Sequence, residues 1–264
     1  MSSACKAIVI GAFACAVLGA GAPQPLRVCS DPNNLPFSNL AGQGFENKIA
    51  ELITRELGRP LKYFWSPQRR GFIRNTLMAG RCDVMIGVPA HFERLQSTQP
   101  YYRSSYAFVT RRDRRLGVRS FDDARLRHLR IGVQITGDDY NNPPAAQALA
   151  SRHIIDNVRG YTVYGDYSNP DPQREVVDAV ADGRVDIAIV WGPLAGYYAA
   201  REATGIDVVP VSPERDGPSL AFVYDIAMGV RQDDPALRRL LDAIIVRRRS
   251  AIHQILTAYG VPLL

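Results

Sequence analysis

The four histidines, His91, His128, His153 and His253, are the first place to look for chemistry in this chain. None stands in a recognisable pair with Ser, Cys or Asp. No metal-spaced His/Cys cluster, glycine-rich phosphate loop or nucleophile elbow occurs in the sequence. The residue types point instead to binding. Phe37, Trp65, Tyr167 and Trp191 offer aromatic faces, and Arg69, Arg70 and Arg94 offer fixed positive charge. The two tryptophans read equally well as packing for an inner wall. Arg69-Arg70 reads as a solvated first turn or as a purposeful pair, since a cation has the wrong sign for a helix start. Asp138-Asp139 complements the dipole of a helix beginning at Pro143; holding a metal together with Asp166 is the weaker reading. The expectation is therefore no catalytic residue, no metal and no cofactor.

These side chains need elements to position them. Residues 26–29 read as a first strand, followed by the turn-rich Ser30-Asp31-Pro32-Asn33-Asn34. Phe45, Ile49, Leu52, Ile53 and Leu57 recur at helical spacing, and Gly58 ends that helix. Residues 61–65 read as a second strand, 68–79 as a second helix and 83–87 as a third strand. This βαβαβ rhythm predicts a parallel sheet covered by helices. After an extended segment at 104–110 the rhythm restarts. Strands are predicted at 130–133, 161–164, 185–190 and 207–211, with helices entered at Asn142-Pro143-Pro144 and over 174–181 and 193–201. A return strand at 223–230 precedes one long final helix with Leu237, Leu240, Leu241, Ile244, Ile245, Ile252, Ile255 and Leu256 on a single stripe.

The fold class expected is α/β, with two lobes, the second inserted into the first, and a two-segment hinge near 108–112 and 222–226. The domain reading is 1–22 leader, 23–110 first part of lobe 1, 111–223 lobe 2, and 224–264 lobe 1 again. In open α/β sheets a ligand sits beyond the carboxyl ends of the strands. That rule selects Asn33, Asn34 and Phe37, then Trp65, Gln68, Arg69 and Arg70, then Arg94. From the second lobe it selects Gln134, Asp138, Asp139, Asp166, Tyr167 and Trp191.

Composition sets bounds on partners and compartment. The chain is 46% hydrophobic and 22% charged, which is enough for a real core. Its formal charge is +6, and the arginines that supply it are interleaved with acidic residues, so no nucleic-acid stripe emerges. Lys6, the apolar run over 7–20 and the small residues Gly19, Ala20, Gly21 and Ala22 read as a cleavable export signal. The run is too short to span a bilayer, which takes about 20 apolar residues. Cys5 and Cys15 leave with that leader. Cys29 and Cys82 remain in an oxidising compartment, either as a disulfide or as two buried thiols. The expectation is an exported, periplasmic monomer that is not embedded in a membrane.

The layout is similar to the bilobed periplasmic solute-binding proteins of ABC importers. Pro36-Phe37, Gly44-Phe45-Glu46, Ala79-Gly80-Arg81-Cys82-Asp83-Val84, Pro100-Tyr101-Tyr102, Asp182-Gly183-Arg184-Val185-Asp186 and Ala258-Tyr259-Gly260 carry the resemblance. It implies a type II periplasmic-binding-protein fold. Asp31-Pro32-Asn33-Asn34-Leu35-Pro36-Phe37-Ser38-Asn39, Trp65-Ser66-Pro67-Gln68-Arg69-Arg70-Gly71-Phe72 and Val190-Trp191-Gly192-Pro193-Leu194-Ala195-Gly196-Tyr197 resemble one branch, the quinoprotein-dehydrogenase-associated proteins of the MoxJ/XoxJ type. That resemblance implies a periplasmic accessory of a PQQ-dependent methanol or alcohol dehydrogenase, working beside the dehydrogenase and its cytochrome c. Amino-acid binders of the fold clamp a carboxylate with an arginine and a hydroxyl, and an ammonium with a second-lobe aspartate. Arg94 keeps the arginine, but Pro89 stands at the hydroxyl position and Trp191 at the aspartate position. Ordinary amino-acid binding is thus not expected. A cleft that accepts a segment of the dehydrogenase is the first reading. An importer receptor for PQQ or an organic acid is the second, and a small-molecule lyase dependent on Arg94 or Asp166 the third.

Overall fold

The computed structural model describes residues 22–136, 142–162 and 167–264. The expected leader, apart from its last residue, and the candidate residues Asp138, Asp139 and Asp166 lie outside the described residues. The main strands are β1 (Leu26–Ser30), β2 (Leu61–Trp65), β3 (Val84–Pro89), β4 (Tyr102–Arg111), β5 (Ile131–Ile135), β6 (Val158–Thr162), β7 (Ile187–Trp191), β8 (Ile206–Pro210) and β9 (Val223–Val230). The helices are α1 (Phe45–Leu57), α2 (Phe72–Asn75), α3 (Pro144–Ser151), α4 (Glu175–Ala181), α5 (Gly192–Ala199), α6 (Pro235–Arg247) and α7 (Arg249–Ala258).

Strand β1 lies between β2 and β3, parallel to both, as two consecutive βαβ crossovers require. Strand β9 returns antiparallel beside β3. The ten residues of β4 carry the chain from one half of the sheet to the other. Tyr102 to Ser105 pair with β9, whereas Tyr106 to Thr110 pair with β7 and Ala107 to Arg111 with β8. Beyond β7 lie β5 and β6, parallel to it. The strand order is thus β2-β1-β3-β9-β4-β7-β5-β6, with β8 branching from β4.

Adjacent strand residues point to opposite faces, so each half of the sheet carries two cores. In the first half, Val84 and Ile86 pack beneath α1, α6 and α7 with Phe45, Ile49, Ile53, Leu241 and Ile252. Met85 and Val88 face the other way, into a smaller cluster with Cys29, Phe72, Leu77 and Cys82. In the second half, Val190 packs with Val177, Val180 and Leu194 of α4 and α5. Ile187 and Ile189 pack with Phe108, Phe121, Ile131 and Leu149. Cys29 and Cys82 are joined by a disulfide, with their Cα atoms 5.5 Å apart.

Two helices differ from the sequence reading. The segment expected to be helical over 68–79 is α-helical only at Phe72–Asn75, because Gly71 holds a left-handed backbone (φ 85°) at its start. The long final helix breaks at Arg248, which leaves helical geometry (φ −109°, ψ 16°) between α6 and α7. The break turns Ile252 and Leu256 onto α1 and leaves Leu240 exposed rather than on the buried stripe.

Candidate functional site

The carboxyl ends of β1, β2, β3 and β7 meet where the two halves face one another. After β1 the chain turns through a two-rung hairpin, Asn33 opposite Asn39 and Asn34 opposite Ser38. Asp31, at the start of that turn, is buried. Its Oδ1 accepts from the Asn33 amide (2.8 Å), and its Oδ2 accepts from the Gln68 amide and the Tyr167 hydroxyl, each at 2.5 Å. Burial, and then the hydrogen bond to Asp31, hold the Tyr167 hydroxyl well above its ordinary pKa, so it stays a donor. Asn33 Nδ2 donates to the Asn169 carbonyl (2.6 Å), and the Tyr198 hydroxyl, which donates to the Asp171 carboxylate, lies 3.1 Å from the Leu35 carbonyl. These contacts and the Tyr167–Asp31 bond bridge the lobes at one edge of the cleft.

Behind the bridges lies a cavity of about 510 Å³. Phe37, Tyr102 and Ile226 wall it from the first half of the sheet, and Gln134, Gln173 and Leu194 from the second. Tyr106, Trp191 and Tyr224 stand where β4 and β9 cross between the halves. The Trp191 ring is steeply inclined to both neighbours, at 62° to Tyr106 (centroids 5.5 Å apart) and 72° to Tyr224 (5.8 Å). Gln134 Nε2 donates to Gln173 Oε1 at 3.2 Å, and Asn34 Nδ2 to Gln68 Oε1 at 3.1 Å.

Glu46, in the first turn of α1, is the acidic residue among the described residues of this lining, and none of those is Lys, Arg or His. Its carboxylate makes no hydrogen bond or ion pair with any described residue. Burial, reinforced by the Asp31 carboxylate, pushes its pKa up to about 8. Gly87 makes room for it: a Cβ there would fall 2.1 Å from Glu46 Oε1.

A second concavity of about 550 Å³ adjoins the first through Gln68, Gly87, Val88 and Pro89. Arg69, Arg70, Arg74 and Arg94 line it, beside Phe72, Phe92 and Met78. The Arg69 guanidinium also lies 5.4 Å from the centre of the Tyr167 ring.

The sequence-selected residues therefore separate into groups. Asn34, Phe37, Gln68, Gln134 and Trp191 line the cavity. Asn33 and Tyr167 form bridges. Arg69, Arg70 and Arg94 lie next door. Trp65 is not on the cavity wall; it stacks on Tyr63 with ring centroids 4.4 Å apart. Pro89 and Trp191, the positions at which the resemblance implied loss of an amino-acid clamp, both line the cavity. Sequence reasoning missed Asp31, Tyr102, Tyr106, Gln173, Tyr224 and Glu46 as site residues. An acidic residue in a first helical turn ordinarily complements the dipole, so nothing local marks Glu46 as facing a cavity. Among the described residues no group of three or more His, Cys, Asp or Glu side chains is placed to hold a metal ion.

This is the periplasmic-binding-protein fold, two α/β lobes about a central cleft, and the chain belongs to the bacterial extracellular solute-binding proteins, family 3, whose pattern it matches over residues 26–260. Within that family it is similar to the protein MoxJ of Methylorubrum extorquens, 32% identical over 246 residues that cover 90% of this chain and 81% of the relative. Among solved structures it is similar to the periplasmic binding protein XoxJ from Methylobacterium extorquens AM1 (TM-score 0.73, 36% identity, 90% of this chain and 99% of that one). MxaJ from Methlophaga aminisulfidivorans shares the fold, with a TM-score of 0.76 at 24% identity over 90% of this chain and 100% of that one. Among the described residues no helix is long and apolar enough to cross a membrane.

Proposed function

We propose that this chain is a periplasmic, non-enzymatic accessory of a PQQ-dependent methanol or alcohol dehydrogenase, which it binds and helps to activate or assemble. The observation that carries this reading is the replacement of the amino-acid clamp by Pro89 and Trp191 on the cavity wall of a chain similar to MoxJ and XoxJ. A charged group enclosed without a partner costs several kcal/mol, roughly, so a free amino acid gains little here. The bridges from Asp31, Asn33 and Leu35 leave a space of small-molecule size. That favours contact with the dehydrogenase through the outer, arginine-lined concavity over insertion of one of its segments into the cavity. Arginine and aromatic side chains with a polar rim suit a protein partner carrying acidic groups.

The test is co-elution and calorimetry with the cognate dehydrogenase, with and without PQQ. Binding is expected at low salt and should weaken as salt rises, because the steering charges are exposed. If neither form of the dehydrogenase binds at low salt, the reading is wrong.

The cavity between the lobes also supports a second reading, an importer receptor for a small molecule. At neutral pH the carboxyl of the lining, with its pKa pushed up to about 8, is largely protonated, so an organic acid or PQQ would meet a hydrogen-bond donor there rather than a fixed negative charge.

A further inference from the structure

We propose that the cavity between the lobes receives a small organic cation, an amine or quaternary ammonium held among Trp191, Tyr106, Tyr224 and Phe37 with Glu46 as its counter-charge. The cavity lies within the usual range for small-molecule sites, and aromatic side chains supply much of its wall. Trp191 meets Tyr106 and Tyr224 edge to face rather than in a stack, and all three rings line the cavity. Such clusters attract alkylammonium groups through the negative faces of their rings.

Charge decides between ligand classes. Asp31 nearby is satisfied by three donors, whereas Glu46, partly exposed to the cavity, has no protein donor among the described residues. Among the described residues no cationic side chain lines the cavity beside it. Once Glu46 is ionised, an anion would meet repulsion there and an uncharged ligand would leave the charge unpaired. A cation pairs it while using the rings. The assignment is independent of the dehydrogenase partnership, because the arginine-lined concavity lies outside the ring cluster.

The experiment titrates the purified, leaderless protein with choline, with tetramethylammonium and with 3,3-dimethylbutan-1-ol, the uncharged isostere of choline. Tryptophan fluorescence and thermal shift report binding, with sodium chloride as the ionic-strength control. Choline is expected to bind at least about tenfold more tightly than the alcohol. Glu46→Gln should close most of that gap while leaving the alcohol unaffected. A second readout needs no variant. The groups around Glu46 are Asp31 on the loop after β1, Tyr63 on β2, and Tyr101 and Tyr102 at β4, and all the tyrosines are held above their ordinary pKa values. Choline affinity should therefore rise with pH up to about 8 as Glu46 ionises, and alcohol affinity should not. Equal affinity for choline and the alcohol, an unchanged preference in the glutamine variant, or no response to either cation would each overturn the assignment. Loss of dehydrogenase binding would not bear on it.

Discussion

At the head of the first half of the sheet, Arg27 donates to Asp83 from its backbone amide (2.9 Å) and from Nη2 (2.6 Å), and Asp83 returns its own amide to the Arg27 carbonyl (2.7 Å). At the head of the second half, Arg130 does the same to Asp186 (2.9 and 2.9 Å), and the Asp186 amide returns to the Arg130 carbonyl (2.8 Å). Each aspartate follows a left-handed glycine by three residues, Gly80 (φ 68°) and Gly183 (φ 71°). The clasp ties the start of one strand to the entry of the next parallel strand. The difference lies beside it. Two residues after Arg27 stands Cys29, bonded to Cys82; two residues after Arg130 stands Gly132, packed against Val185 and Tyr161.

The reason lies in what covers each face. On the disulfide side of the first half, the cover is α2, a single turn, and a small cluster around Phe72 and Leu77. The corresponding strands of the second half are closed in by larger clusters on both faces. Where helices bury enough apolar surface, the electrostatic clasp suffices; where they do not, a covalent tie supplements it.

Breaking the tie should have the largest effect. Cys82→Ser, or reduction, releases a loop with a sequence separation of 53, worth about 4 kcal/mol on the chain-entropy account. Guanidinium unfolding of oxidised and reduced protein measures it. A loss under 1 kcal/mol, roughly, would mean that the thin core carries the first half alone.

Glu46→Gln comes next and acts in the cavity between the halves. The native carboxyl titrates near 8, above its ordinary value of 4.5, so the folded state holds the proton more tightly than the unfolded chain. The parent should therefore lose stability relative to the variant as pH rises from 4.5 to 8, with no difference below that window. Contact with cavity solvent reduces the gap above pH 8 to on the order of 2 kcal/mol. Urea melts at pH 5 and pH 8.5 compare the two; parallel curves would remove the buried-carboxylate argument.

The clasps themselves should give the smallest change. Arg130's hydrogen bonds, against burial, hold Asp186 at a pKa of about 2, below its ordinary 3.8. Asp186→Asn should thus cost about 1–2 kcal/mol at neutral pH, since Arg130 is mostly exposed. The deficit should shrink as pH falls from 3.8 toward 2. Burial raises the pKa of Asp83, but the Arg27 hydrogen bonds outweigh it and the net shift is downward. Asp83→Asn should cost a similar amount when the disulfide is intact. It should be non-additive with Cys82→Ser, because the two ties adjoin. Strict additivity in a double-mutant cycle would show that clasp and disulfide act independently.

Several elements were legible in local pattern. Gly58 stops α1 in a left-handed conformation (φ 61°), as its position after the apolar stripe predicts. The βαβ rhythm gives the parallel core, and the strand-end rule found Asn34, Phe37, Gln68, Gln134 and Trp191. The same rule misplaced Trp65, because it names the end of a strand and not the direction in which a side chain leaves it. The break at Arg248 escaped notice because the apolar spacing runs on across it. There Arg248 reaches Glu56 on α1 (2.5 Å), a partner far away in the sequence.

The sequence by itself determined the order of elements and the strand ends that carry Asn34, Phe37, Gln68, Gln134 and Trp191. These follow from periodicity and residue type, which act over a few positions. The bridge from Tyr167 to Asp31 across the cleft, the meeting of rings at Trp191 and the placing of Glu46 on the cavity wall were decided only by tertiary structure. Each depends on side chains from separate strands and loops meeting at one point, and burial and charge at that point are properties of the assembled neighbours.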